Sequence, residues 1–374
     1  MRVLFVTTTL DVGGAEVMLV ELARHCISAG IAVGIASLAG DGAYGETLRA
    51  LGATVFPARS RRDGIGLARR AETAFAPDVV HGWMYHGNVA AWTAARLRVR
   101  PLPLVWTVHQ SLYDIRQEKP TTNLLLRLSR RISGSVDMVT YVSDTSRTQH
   151  RAFGFAPRDE HTLPNGFAVP AQAQAAAWRR QHRAALGIGE RTFVVGQVGR
   201  HHPVKNHPGM IRIAARLAQA QDDMRLLLVG GGMDASNDEL VQAIDTAGIR
   251  ERVILLGQRS DARELMAALD ALCVPSLAEA FPMVIGEAMG VGVPCVASDV
   301  GDIGALLQDI GVTLPVHDEQ GFADALLALA RRDPQARAAD AERARASIQQ
   351  RFGLAQVAAR YLSLYGELVR TRGA

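Results

Sequence analysis

Short apolar runs alternate with helical patterns along the chain, in two successive sets. The first set is Val3–Thr7, Val33–Ser37, Val79–His81, Leu104–Val108 and Met138–Val142, and the second is Phe193–Val198, Arg225–Val229, Val253–Leu256, Ala271–Val274 and Pro294–Ala297. Helical patterns such as Glu16–Ser28 and Gly87–Leu97 separate the runs. Strands that alternate with helices indicate parallel sheets built from βαβ units. The pattern therefore predicts an α/β protein with two Rossmann-like domains, which we expect to face each other across a cleft.

Length and composition agree with two globular domains. At 374 residues the chain exceeds the size at which one hydrophobic core keeps growing, and 48% hydrophobic with 21% charged residues is ordinary for a globular protein. We place the N-terminal domain at residues 1–168, a linker in the Ala- and Gln-rich stretch 169–190, and the C-terminal domain at 191–352. Residues 353–374 carry apolar positions at helical spacing, which predicts a terminal helix.

The cysteines and the absence of a long apolar run predict a cytoplasmic protein. Cys26, Cys273 and Cys295 lie within apolar patterns, which indicates buried free thiols in a reducing compartment. No apolar run approaches the roughly 20 residues of a membrane span. The segment Met1–Thr7 is typical of a first strand and not of a cleavable signal.

The net charge of +4 is concentrated in the N-terminal half. Residues 1–170 hold 19 Lys and Arg against 14 Asp and Glu, whereas the remainder holds 22 against 23. The excess lies in clusters of arginines, namely Arg59, Arg61, Arg62, Arg69, Arg70, Arg96, Arg98, Arg100, Arg127, Arg130 and Arg131. Two interpretations stay open: solvated helix faces, or a basic face that meets anionic lipid headgroups of the inner membrane surface or a diphosphate-bearing acceptor. Nucleic acid is not expected as a partner, because no binding motif accompanies the charge.

Two glutamates eight residues apart, Glu279 and Glu287, enclose the most informative segment of the chain. The strand Ala271–Val274 precedes the loop that carries Glu279. Pro282 favours the first turn of a helix, so a helix over Met283–Val291 is predicted, with N–H groups and a dipole that form an anion site. Glu287 then lies just over one turn into this helix. A carboxylate on each side of an anion site suits a ligand with hydroxyls at both ends and phosphate between, such as a nucleotide sugar.

Two further loops at strand ends carry groups that suit phosphate. Gly13 and Gly14 follow the first strand, where glycines let backbone N–H groups approach a ligand, although a glycine pair is also common in turns. Arg200 and Lys205 follow the strand Phe193–Val198 and are cations five residues apart. They would be ordinary surface charges in the plainer interpretation. The phosphate interpretation is favoured because three ligand-type loops then converge on one edge.

The strand Arg225–Val229 is followed by a glycine-rich turn. Gly230, Gly232 and Ala235 fit the pattern G-x-G-x-x-A, which could indicate a nicotinamide dinucleotide and a dehydrogenase. The next strand ends without the acidic residue that would hold an adenosine ribose. We therefore interpret this segment as a tight turn that borders a nucleotide.

His109 ends the strand Leu104–Val108 and is expected to face the cleft from the N-terminal domain. A histidine at a strand end is often a surface or capping residue, but a position opposite the Glu279 loop favours contact with a reacting sugar. The other histidines match no zinc spacing, and the chain has no Asp-x-Asp pair. We therefore expect no metal and no other cofactor.

Six segments together resemble a known family. They are Gly13-Gly14-Ala15-Glu16, Thr107-Val108-His109, Leu163-Pro164-Asn165-Gly166, Gly199-Arg200 with Lys205-Asn206, Leu228-Val229-Gly230, and the Glu-x7-Glu block from Glu279 to Met289. In these segments the chain resembles glycosyltransferase family 4, whose members are retaining, metal-independent enzymes of the GT-B fold. The resemblance covers essentially the whole chain.

The resemblance implies roles for the candidate residues. Glu287 would bind ribose hydroxyls, Glu279 the donor sugar, and Arg200 with Lys205 the diphosphate. His109 would lie near the anomeric centre, and the terminal helix would cross back to the N-terminal domain. The remaining donor-binding residues are predicted to be Gly13, Gly14, Gly231, Arg259, Phe281, Met283 and Val284, the last three through backbone N–H groups.

The expected function is transfer of a sugar from a UDP- or GDP-sugar to a hydroxyl of a glycan or polyprenyl-diphosphate-linked glycan, in cell-surface polysaccharide or glycolipid synthesis. Front-face transfer is favoured, because no carboxylate is marked as the nucleophile of a double displacement. Ala280, Asp302 and Val17 depart from the pattern of many relatives, which leaves contacts near Asp302 open. Two alternatives remain: a nucleotide-sugar epimerase of the same architecture and a non-catalytic nucleotide-sugar-binding protein.

Overall fold

The computed structural model describes residues 1–60, 63–112, 120–308 and 310–373, and the chain divides into two compact units. The first unit combines Met1–Gly166 with Leu354–Ala374. The second unit is Phe167–Gly353. The chain therefore leaves the first unit once and returns to it at the C-terminus.

In the first unit, the described residues form a seven-stranded parallel sheet. Its strands are β1 (Arg2–Thr7), β2 (Ala32–Ser37), β3 (Thr54–Pro57), β4 (Val79–Trp83), β5 (Leu104–Val108), β6 (Met138–Tyr141) and β7 (Asp159–Thr162). The helices are α1 (Gly14–Ser28), α2 (Gly45–Ala50), α3 (Gly64–Phe75), α4 (Met84–Arg96), α5 (Pro120–Ile132) and α6 (Asp144–Phe153). The strand order β3-β2-β1-β4-β5-β6-β7 reverses direction between β1 and β4.

In the second unit, the described residues form a six-stranded parallel sheet. Its strands are β8 (Phe193–Val198), β9 (Met224–Val229), β10 (Val253–Leu255), β11 (Ala271–Val274), β12 (Cys295–Ser298) and β13 (Val312–Leu314). The helices of this part of the chain are α7 (Gln172–Ala185), α8 (His207–Ala220), α9 (Asp238–Thr246), α10 (Ala262–Met266), α11 (Met283–Gly290), α12 (Ile303–Leu307), α13 (Glu319–Ala330) and α14 (Pro334–Phe352). The order β10-β9-β8-β11-β12-β13 reverses between β8 and β11.

The last helix, α15 (Leu354–Gly373), packs on the first unit, as predicted. Its apolar side chains join the core that surrounds α1. The contact also has a buried polar part, because Tyr365 Oη lies 2.7 Å from His81 Nδ1 and Thr107 Oγ1 lies 2.6 Å from His81 Nε2. Burial holds the pKa of His81 well below its usual value, so the ring docks the helix as a neutral group.

The strands predicted from the sequence all form. The strands that were not predicted lie at the edges of the sheets. The unpredicted strands β3, β7 and β13 are edge strands, and β7 has the polar sequence Asp-Glu-His-Thr. Central strands of parallel sheets are covered on both faces and are therefore continuously apolar, whereas edge strands need not be. The three cysteines are buried free thiols, as expected.

The stretch 169–190, which we expected to link two domains, is part of the second unit. Helix α7 occupies most of it. Arg179 and Arg183 on this helix bind Asp270 at the start of β11, with N–O distances of 2.6 and 2.5 Å. Asp270 also accepts the backbone N–H of Val194 at 2.8 Å. The sequence of this Ala- and Gln-rich stretch did not indicate that Arg183 would pair with Asp270, which lies 87 residues further along the chain.

The ion pair of Asp270 and Arg183 is expected to stabilise the second unit through its burial. The two side chains are 7% and 2% exposed. Asp270→Ala leaves the Arg183 guanidinium buried without its carboxylate, so we expect the free energy of unfolding in urea to fall by about 3–5 kcal/mol. Asp245→Ala is the matched control, because it breaks a pair with Arg250 that is about half exposed and should cost at most about 1 kcal/mol. Equal losses in the two variants would contradict the prediction.

Candidate active site

Three loops at the carboxyl ends of β8, β9 and β10 are joined by backbone hydrogen bonds. Gly199 N donates to Val229 O and Gly230 N donates to Gly257 O, each at 2.8 Å. The backbone of Gly230 has a φ of 144°, and a Cβ there would lie 2.0 Å from Gly199 O. Only glycine permits this close approach. The glycine-rich segment is thus a tight turn, as predicted, and it carries Gly231, whose carbonyl accepts from His201 N at 2.7 Å.

An ion pair joins the loop after β8 to the loop after β11, the two neighbouring strands at which the sheet order reverses. Lys205 Nζ donates to Glu279 Oε1 at 2.6 Å. Ser276 Oγ donates to the same oxygen at 2.8 Å. Leu277 N also donates to Val204 O at 2.8 Å, so backbone and side chains hold the two loops together. Ligands of open α/β sheets bind where the strand order reverses, and two of the predicted site residues meet there.

Helix α11 begins next to this ion pair. Pro282 is its N-cap and not its first residue, and Met283 and Val284 form the start of the helix. Because the helix has no carbonyl four residues before them, the N–H groups of these two residues have no partner within the helix. Glu287 lies one turn further on and is half-buried. Burial raises the pKa of the Glu287 carboxyl, and the charge of Arg263 opposes this shift.

The position of helix α11 is set by aromatic packing. A Cβ on Gly286 would lie 2.2 Å from the Phe167 ring, so this residue of the Glu-x7-Glu block lets the helix lie directly on the ring. The Phe281 ring lies 6.1 Å from that of Phe167 and 5.5 Å from that of Phe352. The Phe281 side chain is therefore part of the core, and the donor-binding role of its backbone N–H stays a prediction.

The two arginines predicted for donor binding differ in their surroundings. Arg200 is exposed, and its guanidinium has no partner among the residues that the structure describes. Arg259 binds Asp261 through two hydrogen bonds of 2.7 and 2.6 Å. This contact raises the pKa of the Arg259 guanidinium. Arg200 can therefore meet an anion directly, whereas Arg259 is already paired with a carboxylate two residues away.

The remaining predicted residues, Gly13, Gly14 and His109, lie in the first unit. Gly13 caps α1, and a Cβ on it would lie 2.4 Å from Glu16 Oε2. The Glu16 carboxylate thus folds against the glycine pair, and its burial raises its pKa. The His109 ring packs on Trp83 with 4.6 Å between ring centroids, and Trp83 Nε1 donates to Ala15 O at 2.9 Å. Trp83 therefore connects the glycine loop after β1 to the histidine after β5.

Both ring nitrogens of His109 are buried and lack a hydrogen-bond partner among the described residues. Burial lowers the pKa of His109 to about 3, so the ring is neutral near pH 7. A neutral imidazole can donate one hydrogen bond and accept another. This side chain is suited to a ligand hydroxyl and not to charge neutralisation.

The second-unit site combines positive charge with carboxylate. Arg200, Lys205 and the amino end of α11 provide charge and N–H donors for an anion, while Glu279 and Glu287 can accept from hydroxyls. Within the described ranges, no three His, Cys, Asp or Glu side chains come together as a metal site would need.

Comparison with known proteins assigns the chain to a family. The family model described as Glycosyltransferase Family 4 matches residues 12–169, and the model described as Glycosyl transferases group 1 matches residues 192–332. The D-inositol 3-phosphate glycosyltransferase of Kribbella flavida is 30% identical over 367 residues, which cover 86% of this chain and 83% of that protein. The chain belongs to glycosyltransferase family 4.

Solved structures confirm that this glycosyltransferase has the GT-B fold. Anabaena Alr3699/HepE, solved in complex with UDP and glucose, is 27% identical with a TM-score of 0.80, and the match covers 98% of this chain and 99% of that one. WaaG, a glycosyltransferase involved in lipopolysaccharide biosynthesis, is 18% identical with a TM-score of 0.76 over 98% and 99% of the two chains, which shows the shared fold. The dehydrogenase alternative is excluded by this family membership.

Several side chains that the sequence did not single out shape the site of this transferase. Ser276 holds Glu279, Arg263 acts on the pKa of Glu287, and Glu16 folds against Gly13. The three-residue spacing of Ser276 and Glu279 was a readable signal. Arg263 gave none, because its relation to Glu287 depends on how α10 and α11 pack.

The close approach of Gly230 to Gly199 can be tested by adding a methyl group. Gly230→Ala brings a Cβ against Gly199 O and forces alanine to a φ of 144°, a region that costs about 1–3 kcal/mol by itself. Gly248→Ala is the matched control, since it also has positive φ (69°) but no atom within 4 Å, and should cost about 1–2 kcal/mol. We expect a clearly larger loss of unfolding free energy in urea for Gly230→Ala. A loss no greater than that of the control would contradict the close contact.

Proposed function

We propose that this glycosyltransferase moves a sugar from a UDP- or GDP-sugar to a hydroxyl of a glycan or lipid-linked glycan, with retention of configuration and without a metal. The observation that carries the proposal is the ion pair of Lys205 and Glu279 beside the amino end of α11. It joins a cation and a carboxylate at the switch in strand order, and the carboxylate lies on the loop that leads into α11.

The distribution of charge supports a nucleotide-diphosphate donor. Arg200 and Lys205 would bind the diphosphate together with N–H groups of Phe281, Met283 and Val284, while Gly231 borders the nucleotide. Glu287 has no hydrogen-bond partner among the described residues and would accept from the ribose hydroxyls. Glu279 would bind the donor sugar. The UDP and glucose in the complex of HepE, which shares this fold at 27% identity, agree with such a donor.

The environment of Glu279 supports front-face transfer. Breakage of the anomeric C–O bond develops negative charge on the leaving diphosphate, and preorganised cations and N–H donors stabilise that charge. One Glu279 oxygen already accepts from both Lys205 and Ser276, which lowers its value as an attacking nucleophile. The leaving phosphate would instead help to deprotonate the acceptor hydroxyl. Arg200 and Lys205 would supply the charge that a divalent ion supplies in metal-dependent transferases.

The first unit offers groups for the sugars. The unpartnered nitrogens of His109 would bind a hydroxyl of the reacting sugar, and the backbone at Gly13 and Gly14 would approach the ligand closely. Glu16 fills the space beside Gly13 with a carboxylate. This arrangement supports binding of hydroxyls more than of phosphate at the amino end of α1.

We also propose that the first unit contacts an anionic membrane surface through α5. A lipid-linked acceptor would require such a contact. The buried free cysteines favour the membrane face that borders a reducing compartment. Among the described residues, no helix combines the length and apolar character that crossing a bilayer needs. Arg61 and Arg62 lie outside the described residues. Arg96 is not a surface charge, since it binds Asp137 at 2.6 Å, and Arg130 packs over the Phe153 ring at 5.9 Å.

The outer face of α5 supports this proposal. Leu124 and Leu128 are 69% and 40% exposed, and Arg127 and Arg131 are exposed beside them. The four positions have the spacing i, i+3, i+4 and i+7 of a single helical stripe. The sequence of α5 contains no acidic residue. A stripe of leucine and arginine without carboxylates suits the surface of an anionic membrane, where leucine can enter the acyl region and arginine can bind the lipid headgroups.

Lys205→Ala and Glu279→Ala are expected to abolish sugar transfer while the protein remains folded. Each change removes one half of the ion pair that we place at the donor diphosphate and sugar. Transfer is measured with candidate donors chosen by a thermal-shift screen against UDP, GDP, ADP and their sugars, because a bound nucleotide raises stability in proportion to ln(1 + [L]/Kd). Arg212→Ala is the control, since it removes an exposed cation of the second unit paired with Glu319.

Product analysis separates the alternatives. Full transfer activity in both ion-pair variants would overturn the proposed site. Turnover of the donor sugar without any acceptor would indicate an epimerase, and donor binding without turnover would indicate a binding protein.

The α5 stripe predicts binding to vesicles that contain anionic lipid. The double change Leu124→Ser and Leu128→Ser should weaken co-sedimentation with such vesicles about tenfold, since burial of a leucine contributes about 1.5–3 kcal/mol when complete. Val312→Ser, a partly exposed apolar residue of β13, serves as the control. Binding should decrease with salt and should be absent with zwitterionic vesicles. Unchanged binding of the leucine variant would refute the surface.

A further inference from the structure

The loop that carries Arg200 and Lys205 is held from below by two buried polar side chains. Gln197, in β8, and His207, at the start of α8, are 4% and 2% exposed. Gln197 Nε2 donates to Lys205 O at 2.7 Å. The Gln197 Oε1 lies 2.9 Å from His207 Nδ1, and His207 Nε2 lies 3.2 Å from Arg200 O. Gln197 therefore binds the backbone of Lys205, and the His207 ring lies beside the backbone of Arg200.

The number of hydrogens on the His207 ring decides which of its two contacts is a hydrogen bond. Because the Gln197 amide nitrogen faces a carbonyl, its oxygen faces His207 and requires a hydrogen on Nδ1. Burial is the main cause that lowers the pKa of His207 to about 4, and it outweighs the contact with Arg200 O, which raises that pKa. A neutral ring carries one hydrogen, so Nε2 cannot also donate to Arg200 O. The 3.2 Å contact is accordingly the longest of the three.

We propose that His207 is a positioning residue for Lys205, acting through Gln197. The Nδ1–H of His207 donates to Gln197 Oε1, which orients the amide so that its nitrogen donates to the carbonyl of Lys205. This relay fixes the backbone from which the Lys205 side chain reaches Glu279, and it makes no contact with substrate itself. The inference rests on the proposed function, in which Lys205 binds the donor diphosphate.

The turn that follows Lys205 is fixed by further contacts beside the relay. Asn206, between Lys205 and His207, has a φ of 53°, in the left-handed region. Its side chain accepts from Gly209 N and donates to Pro275 O at 3.0 Å, which ties the same turn to the loop after β11. The His201 ring also stacks on His207 at 5.0 Å. A buried hydrogen-bond relay is rigid enough to hold a catalytic side chain in place.

Two substitutions of His207 distinguish the relay from simple packing. Asparagine places an amide nitrogen near the position of Nδ1, whereas glutamine places one near that of Nε2. We expect His207→Asn to keep donor affinity close to that of the unchanged enzyme. His207→Gln and His207→Ala should raise the donor KM and the UDP Kd about tenfold, because a catalytic group that is misplaced by even 1 Å is costly. The acceptor KM should not change, since the relay serves only the diphosphate.

Three further measurements make the outcome decisive. Gln197→Met breaks the relay at similar volume and should match His207→Ala, which tests the proposal even if the asparagine variant does not fold. His150→Asn changes a buried histidine of the first unit that contacts Tyr85 Oη and Ser146 O; it should lower stability without altering UDP binding. Equal affinity in all His207 variants, or rescue by glutamine and not by asparagine, would overturn the proposal. Failure of the unchanged enzyme to bind any nucleotide would instead overturn the proposed function.

Discussion

The reversal of strand order between β8 and β11 is the constraint on which the site depends. Connections leave these two neighbouring strands in opposite directions, so their carboxyl ends open a crevice that no crossing loop fills. Lys205 follows one strand and Glu279 follows the other, and their ion pair spans the crevice. At the amino ends of the same two strands, Asp270 accepts the N–H of Val194 and binds two arginines. The strand pair is thus fixed at one end by a buried charge network and carries the ion pair of the candidate site at the other.

Close approach of backbone segments shapes the candidate site. Gly230 lets the loops after β8 and β9 lie against each other, and Gly286 lets α11 lie on the Phe167 ring. A methyl group at Gly230 or at Gly286 would prevent these contacts. Groups on these segments are oriented before a ligand arrives, and preorganised donors and charges stabilise a developing negative charge without a cost of reorganisation.

Both units contain a parallel sheet whose strand order reverses once. The two units differ in the charged groups that lie near this reversal. In the first unit the switch lies between β1 and β4, and Trp83 bridges the two strand ends through its bond to Ala15 O. The groups gathered there are a buried carboxylate, Glu16, and an imidazole, His109, that burial keeps neutral. In the second unit the gathered groups are cations and N–H donors beside the carboxylates of Glu279 and Glu287. The same topology therefore gathers a carboxylate and a neutral ring in one unit, and cations beside carboxylates in the other.

The sequence alone determined the fold class, the central strands and most of the candidate residues. Central strands could be read because burial on both faces demands continuous apolar runs, and Glu279, Glu287, Arg200 and Lys205 could be named because reactive loops follow such strands. Tertiary structure alone decided which of these groups meet. Lys205 and Glu279 are 74 residues apart, and their pairing depends on the adjacency of β8 and β11. The same holds for Asp270 with Arg183, which turned an expected linker into a packed helix, and for the relay from His207 to Lys205, because hydrogen-bond partners are chosen by distance in space and not along the chain.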